Sequence, residues 1–161
     1  MPSLILIAHN VRSLHNVGAF LRTADGCGVS QVYFTGITPA PTNKLGSSRS
    51  KIEKVALGAE KSVSWRHVKS LSSLIRQLKH DGYHLVALEQ DKQAHLLFTW
   101  KPKKERIALL VGNEVKGIDP RTLRQVDSIV EIPMRGSKES LNVSVATGIA
   151  LYVIAHTLDI L

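Results

Sequence analysis

Residues 132–152, IPMRGSKESLNVSVATGIALY, decide how this chain is read. They begin where an apolar run, residues 129–132, reads as a strand ending at Pro133. A polar loop with a glycine follows at 135–140, and an apolar segment then runs to Leu161. Ser140 and Asn142 stand where a last helix must begin, and both side chains accept bonds from free helix N–H groups. That helix is apolar on nearly every side, through Val143, Val145, Ala146, Ile149, Ala150, Leu151, Val153, Ile154 and Ala155. Such a helix lies deep in a core or is shared with a second subunit. The loop before it carries polar groups into apolar surroundings, an arrangement suited to a ligand.

Working outward, residues 3–8 read as a first strand, 9–15 as a polar connection, and Asn16 as the cap of the next helix. Val17, Phe20, Leu21 and Ala24 recur at helical spacing, with Arg22 off that stripe. Gly26-Cys27-Gly28 ends the helix, and 31–35 is a second strand. Strand, helix, strand is the opening of a parallel α/β sheet. Residues 36–50, GITPAPTNKLGSSRS, form a long loop without periodicity, and long loops in compact domains are commonly functional. Lys44, Arg49 and Lys51 make it basic. A short helix is expected within 50–60 and a clearer one at 70–81, where Leu71, Leu74, Ile75 and Leu78 share a face. Strands follow at 84–89 and 107–111, the latter apolar enough to be central, and a short helix at 120–125 opens on Pro120. The charge run 101–106, KPKKER, reads as a solvated loop. One domain, 1–161, is expected.

The balance of charge narrows the partners. Twenty-one Lys and Arg against 13 Asp and Glu give a net +8 and a pI near 9.8, which favours a polyanion, nucleic acid first. Apolar content of 43% and charged content of 21% describe a soluble globular chain, and no apolar run reaches the roughly 20 residues of a membrane span. The start, MPSLILIAHN, lacks a basic n-region and a cleavage site, and the single Cys27 suits a reducing compartment, so a cytoplasmic protein without membrane contact is expected.

Several easy motifs fail. Gly26 and Gly28 follow a helix where a dinucleotide loop must follow a strand. Gly112 and Gly117 have Walker spacing, but Ile118 and Asp119 stand where Lys and Ser or Thr are required. Ser48 and Lys51 match S-x-x-K with neither S-D-N nor K-T-G downstream. The seven histidines form no Cys/His cluster, so no metal is expected.

Three segments remain, each at or near a strand end: 16–22 (NVGAFLR), 112–117 (GNEVKG) and 132–142. In an open parallel sheet ligands bind outside the carboxyl ends of the strands, where these segments can converge. As an ordered set they resemble motifs 1, 2 and 3 of the SpoU-type branch of the SPOUT methyltransferases, which methylate the ribose 2′-hydroxyl of tRNA or rRNA with S-adenosyl-L-methionine. The resemblance covers essentially the whole chain. It implies a mostly parallel α/β sheet with helices on both faces, a C-terminal deep trefoil knot that forms the cofactor pocket, and a homodimer whose active sites each borrow from the neighbouring subunit.

The resemblance also assigns roles. Asn16 and Arg22 match motif 1, with Arg22 the catalytic residue. A guanidinium stays protonated, so gripping the phosphate beside the target ribose suits it better than acting as a base. Glu114 matches motif 2 and is expected to orient Arg22 or loop backbone. Ser140 and Asn142 match motif 3 and are expected to face the reacting groups. Leu88, Glu89, Gly112, Ile132, Met134 and Leu141 are the expected cofactor positions. RNA contacts are expected from Arg22, Lys44, Arg49 and Lys51. Larger family members add an N-terminal RNA-binding domain or terminal helices, which this chain does not show, so the grip on RNA is expected from the basic surface, the 36–50 loop and the second subunit. A base-methylating enzyme of the same superfamily and a non-catalytic RNA-binding or ribosome-assembly protein are the alternatives.

Overall fold

The computed structural model describes residues 1–161. Its chain runs β1 (Ser3–His9), α1 (Leu14–Gly26), β2 (Gln31–Thr35), α2 (Ser50–Ala56), α3 (Ala59–Ser62), β3 (Trp65–Val68), α4 (Leu71–His80), β4 (His84–Leu88), β5 (His95–Leu96), β6 (Arg106–Val111), α5 (Pro120–Leu123), β7 (Ser128–Glu131) and α6 (Val143–Thr157). Seven strands form one sheet in the order β3-β2-β1-β6-β4-β7-β5, every pair parallel.

Alternation along β1 explains why helices cover both faces. Leu4, Leu6 and Ala8 belong to one core, shared with Val17, Phe20 and Leu21 of α1, Ile52 of α2 and Ala150, Leu151 and Ile154 of α6. Ile5 and Ile7 belong to the other, packed with Leu71, Leu74, Ile75 and Leu78 of α4. A strand buried on both faces reads as a continuous apolar run, which is what SLILIA is. Beside β1, β6 is paired on its two sides by β1 and β4, with Leu6 opposite Leu109 and Val86 opposite Leu109. The expected central strand is therefore central.

Some boundaries differ from the sequence reading. Ser13 rather than Asn16 caps α1, its hydroxyl accepting the Asn16 N–H, and Asn16 is buried in the first turn instead. The last strand stops at Glu131, one residue before the apolar run ends. Two strands escaped the sequence. At the sheet margin, β3 exposes Arg66 and His67, and β5 has two exposed residues, so neither carries apolar alternation. Residues 36–49 do form a connection without helix or sheet strand, braced by a Thr42–Ser48 bridge and by two N–H bonds, from Leu45 and Ser47, to Asn43 Oδ1. No helix is long and apolar enough to cross a membrane.

Candidate active site

Three connections leave the carboxyl ends of neighbouring strands and enclose a cavity of about 510 Å³. Leu88 and Glu89 reach it from β4, residues 112–118 from β6, and Ile132, Met134, Ser140 and Leu141 from beyond β7, with Val143 and Ala146 of α6 closing it. All six residues expected at the cofactor, Leu88, Glu89, Gly112, Ile132, Met134 and Leu141, line this cavity. So do Glu114 and Ser140 of the expected catalytic set. Asn16, Arg22 and Asn142 do not, nor do Lys44, Arg49 and Lys51.

The cavity wall is held by backbone bonds. Glu89 Oε2 accepts the Ile118 N–H at 2.9 Å and Oε1 accepts the Gln90 N–H at 3.0 Å, which fastens the 112–118 loop to the end of β4. Gly117 has φ +66 and lies so close to that carboxylate that a Cβ would overlap it. At Gly112 a Cβ would meet Ile118 Cγ1 at 2.6 Å and the Gly117 carbonyl carbon at 2.8 Å, so the turn closes only over a residue without a side chain. Asn113 Oδ1 accepts the Val115 and Lys116 N–H groups, and Gln90 Nε2 donates to the Glu139 carbonyl at 2.6 Å, tying the loop after β7 to β4. Gln90, Asn113, Gly117 and Ile118 were not assigned roles from sequence. For Asn113 and Gly117 the available signal was their place inside the GNEVKG turn.

Glu114 reaches across to the start of α1. Its Oε1 accepts from Ser13 N–H at 3.0 Å, Arg12 N–H at 3.1 Å and Asn16 Nδ2 at 3.2 Å. Burial pushes this carboxyl up, but the N–H groups of Ser13, its own backbone and Arg12, with the Asn16 amide, outweigh it and hold the pKa below the ordinary 4.5. Of the two expected partners, Glu114 therefore takes loop backbone and not Arg22. Arg22 is exposed on α1, outside the buried stripe, and the ion pairs of the chain involve Met1, Lys79 and His80 instead.

Asn142 caps α6, its Oδ1 accepting Ser144 N–H at 2.8 Å and the Ser144 hydroxyl at 2.7 Å. Ser140 is exposed beside it in the cavity wall. Of the three basic residues expected to charge the loop, Lys44 is exposed within it and Lys51 is exposed in the first turn of α2, whereas Arg49 is half-buried and its Nε donates to the Ala40 carbonyl at 3.1 Å. Arg49 thus braces the loop in addition to charging it. The arrangement offers a partly open cavity on one side and cationic surface on the other.

Comparison with known proteins places these features in context. Residues 3–152 match the model of the SpoU rRNA methylase family. The 23S rRNA (guanosine-2′-O-)-methyltransferase RlmB of Neisseria meningitidis is 35% identical over 150 residues, 93% of this chain and 57% of that enzyme. The chain thus spans a little over half the length of this relative. An AdoMet-bound rRNA methyltransferase from Sinorhizobium meliloti superposes with a TM-score of 0.86 at 25% identity, over 96% of this chain and 56% of the other. The TrmH/SpoU tRNA modifying enzyme of A. aeolicus gives a TM-score of 0.84 at 31% identity, over 99% of this chain and 77% of the other.

Proposed function

This chain belongs to the SpoU rRNA methylase family, and on that premise we propose that it uses S-adenosyl-L-methionine to methylate a ribose 2′-hydroxyl of tRNA or rRNA. The observation that carries this reading is the cavity beyond β4, β6 and β7, which gathers Leu88, Glu89, Gly112, Ile132, Met134 and Leu141 around a volume suited to one nucleoside-sized molecule. Its wall holds Glu89, Glu114 and Glu131 against one cation, Lys116, a balance that favours a ligand carrying positive charge. When bound, the cofactor would supply a methyl group on a sulfonium; the new O–CH3 bond would form as the S–CH3 bond breaks to leave a neutral thioether, with the hydroxyl proton lost to solvent.

The chain's own work is positioning. Leu88, Ile132 and Leu141 offer apolar contact to an adenine, and the Gly112 turn brings backbone close to it. Glu114 fixes the N-terminal turn of α1, from which Arg22 projects one side chain with the geometry to grip a phosphate bidentately. Ser140 stands between cavity and solvent, where the target hydroxyl would enter. Lys44, the brace at Arg49 and Lys51 in the first turn of α2 suit the loop 36–49 and the helix after it to a nucleic-acid backbone.

A homodimer completes the reading. Arg22, Asn16 and Asn142 lie outside the chain's own cavity, and Leu141, Val145 and Tyr152 expose 37%, 51% and 45% of their surface along the last loop and α6. A second copy on that face would bury these side chains and bring Arg22 to the neighbouring cavity. A deep knot is part of the same proposal. After β7, beyond β4, the chain returns to lay α6 against α1, on the far side of β6, and Gln90 holds the returning loop down. One domain over 1–161, in the cytoplasm, is the setting we propose.

The test is transfer of labelled methyl groups from S-adenosyl-L-methionine to bulk tRNA and bulk rRNA from cells lacking the gene, followed by mapping of alkali-resistant dinucleotides. Label in one resistant dinucleotide supports the proposal and names the substrate class. Label in a base overturns ribose methylation in favour of base methylation. Absence of both label and cofactor binding leaves an RNA-binding scaffold.

A further inference from the structure

Asn10, just past β1, uses all four of its polar groups. Its N–H donates to the Thr35 carbonyl at 3.2 Å, and its own carbonyl accepts from Asn113 Nδ2 at 2.8 Å. Side-chain Oδ1 accepts the Ile37 N–H at 3.1 Å, and Nδ2 lies 3.0 Å from His9 Nε2. The residue adopts φ +56, a left-handed conformation that asparagine tolerates better than most. Opposite it, Gly36 has φ +64, and a Cβ there would fall on the Asn10 amide oxygen. Asn10 therefore joins the root of the loop 36–49 to Asn113, whose Oδ1 holds the cavity turn.

Proton positions in this network follow from its fixed members. The Ile37 N–H is a backbone donor and cannot be turned round, so Oδ1 must face it. Nδ2 then faces His9, and Nε2 must present a lone pair. The imidazole proton is left on Nδ1, which donates to Thr35 Oγ1 at 2.8 Å. Thr35 is fully buried and His9 half-buried. An imidazolium would set an N–H against the Asn10 N–H, so the network is complete with neutral histidine alone.

Resting on the function proposed above, we propose that neutral His9 and Asn10 form a latch that positions the RNA-side loop 36–49 against the cofactor-side turn 112–118, and that protonation of His9 opens it. Both are positioning residues, since neither lines the cavity. Burial pushes the His9 pKa below 6.5, and the Asp119 carboxylate at the start of α5 pulls the other way. The groups hydrogen-bonded to the ring, Thr35 and Asn10, carry no charge. Opening on acidification therefore weakens the hold on Ile37 while the turn around Gly112, fixed separately by Glu89, stays in place.

The deciding measurement uses the full chain and needs no RNA. NMR follows the His9 imidazole through its titration, and hydrogen exchange reports protection of the Ile37 N–H at each pH. Wild-type protection should fall on the order of 10-fold as His9 takes its proton. In His9→Gln, whose amide oxygen accepts from Asn10 and does not titrate, protection should stay flat. In Asn10→Asp the carboxylate favours the charged ring, so protection should hold or rise on acidification. Constant Ile37 protection through the wild-type titration, or the same fall in His9→Gln, overturns the latch. With a methylatable RNA, kcat/KM for RNA should show an acid limb that His9→Gln lacks, while cofactor Kd stays level. Failure of every RNA to accept methyl groups would count against the proposed function, and the exchange data would still decide the latch.

Discussion

Outside β4, β6 and β7 the chain closes on itself, whereas outside β1 and β2 it opens to solvent. The closed side gathers twenty residues from five segments around about 510 Å³ and fastens them through Glu89, Asn113 and Gln90 to backbone groups. The open side presents Arg22, Lys44 and Lys51, all exposed, along two helices and the loop between β2 and α2. The difference matches two kinds of ligand. A small molecule is held by enclosure, which removes most of its surface from water. A polymer is held by charge spread over an accessible face. One chain can finish the first kind of site alone, while the second kind gains from a second copy.

The comparison breaks most visibly at Arg22. Arg22→Ala should lower methyl transfer about 10²-fold or more, the scale of losing a group that holds the substrate in its reacting position. Cofactor affinity, measured by calorimetry, should stay nearly unchanged because Arg22 is absent from the cavity wall. Equal losses in both would join the two regions that the structure separates. Gly112→Ala is the reciprocal variant. Its Cβ meets backbone at Gly117, so the turn must shift, at a cost of about 1–3 kcal/mol. Cofactor affinity should drop about tenfold or more while binding of RNA alone is kept. Intact cofactor binding would show that the cavity is not where the cofactor sits.

The two regions were unequally legible in the sequence. The strand ends of the closed side announce themselves, because buried parallel strands such as IALLV are continuous apolar runs and the turns after them are marked by glycine. The α/β class, the central β6 and the six cavity positions could be set down from those signals together with the family resemblance. Asn16 misled as a cap, since asparagine in a first turn looks the same whether its side chain serves its own helix or, as here, a carboxylate 98 residues on. Long-range polar partners leave no local pattern. The marginal strands β3 and β5 left none either, because runs of four and two residues are too short to show a period. Gln90 was invisible for the same reason as the Asn16–Glu114 bond, a contact between segments far apart in the chain.

A smaller effect sharpens the open side. RNA affinity should fall steeply with salt, and the double variant Lys44→Ala/Lys51→Ala should flatten the slope of log affinity against log salt by about 1.4, near 0.7 for each cation that meets a single-stranded phosphate. Arg49→Ala should act differently. Losing its bond to the Ala40 carbonyl should loosen the loop as well as remove charge, so affinity should drop even at low salt. Filter binding across a salt series separates these outcomes. A slope unchanged in the double variant would place the phosphate contacts elsewhere on the basic surface.

The smallest expected effect concerns stability against pH, and it draws on both regions. Burial pushes His9 and His84 below 6.5, outweighing the carboxylates of Asp119 and Asp127 that favour their charged forms. The unfolded chain therefore takes up these protons first, and stability should decline as pH falls through 6.5 toward the folded values. Glu114, Asp119 and Asp127 have folded pKa values below 4.5, 3.8 and 3.8. For Asp119 the Thr122 hydroxyl is the main cause, and for Asp127 the Leu85 N–H and Lys79 outweigh burial. These carboxylates contribute stability fully present above their unfolded values and lost as pH falls through the folded ones. Chemical denaturation should thus give a level stability between about pH 6.5 and pH 8, a shallow decline below that window, and a steeper one below about pH 4.5. The shallow step reports His9 and His84, one on the open side and one at the start of β4 beside Ser128. The steep step includes the Glu114 bonds that tie the closed side to α1. Stability that rises on acidification from pH 6.5 would mean the histidines are held charged, and the two regions would then be joined by ion pairs instead of the neutral hydrogen bonds described above.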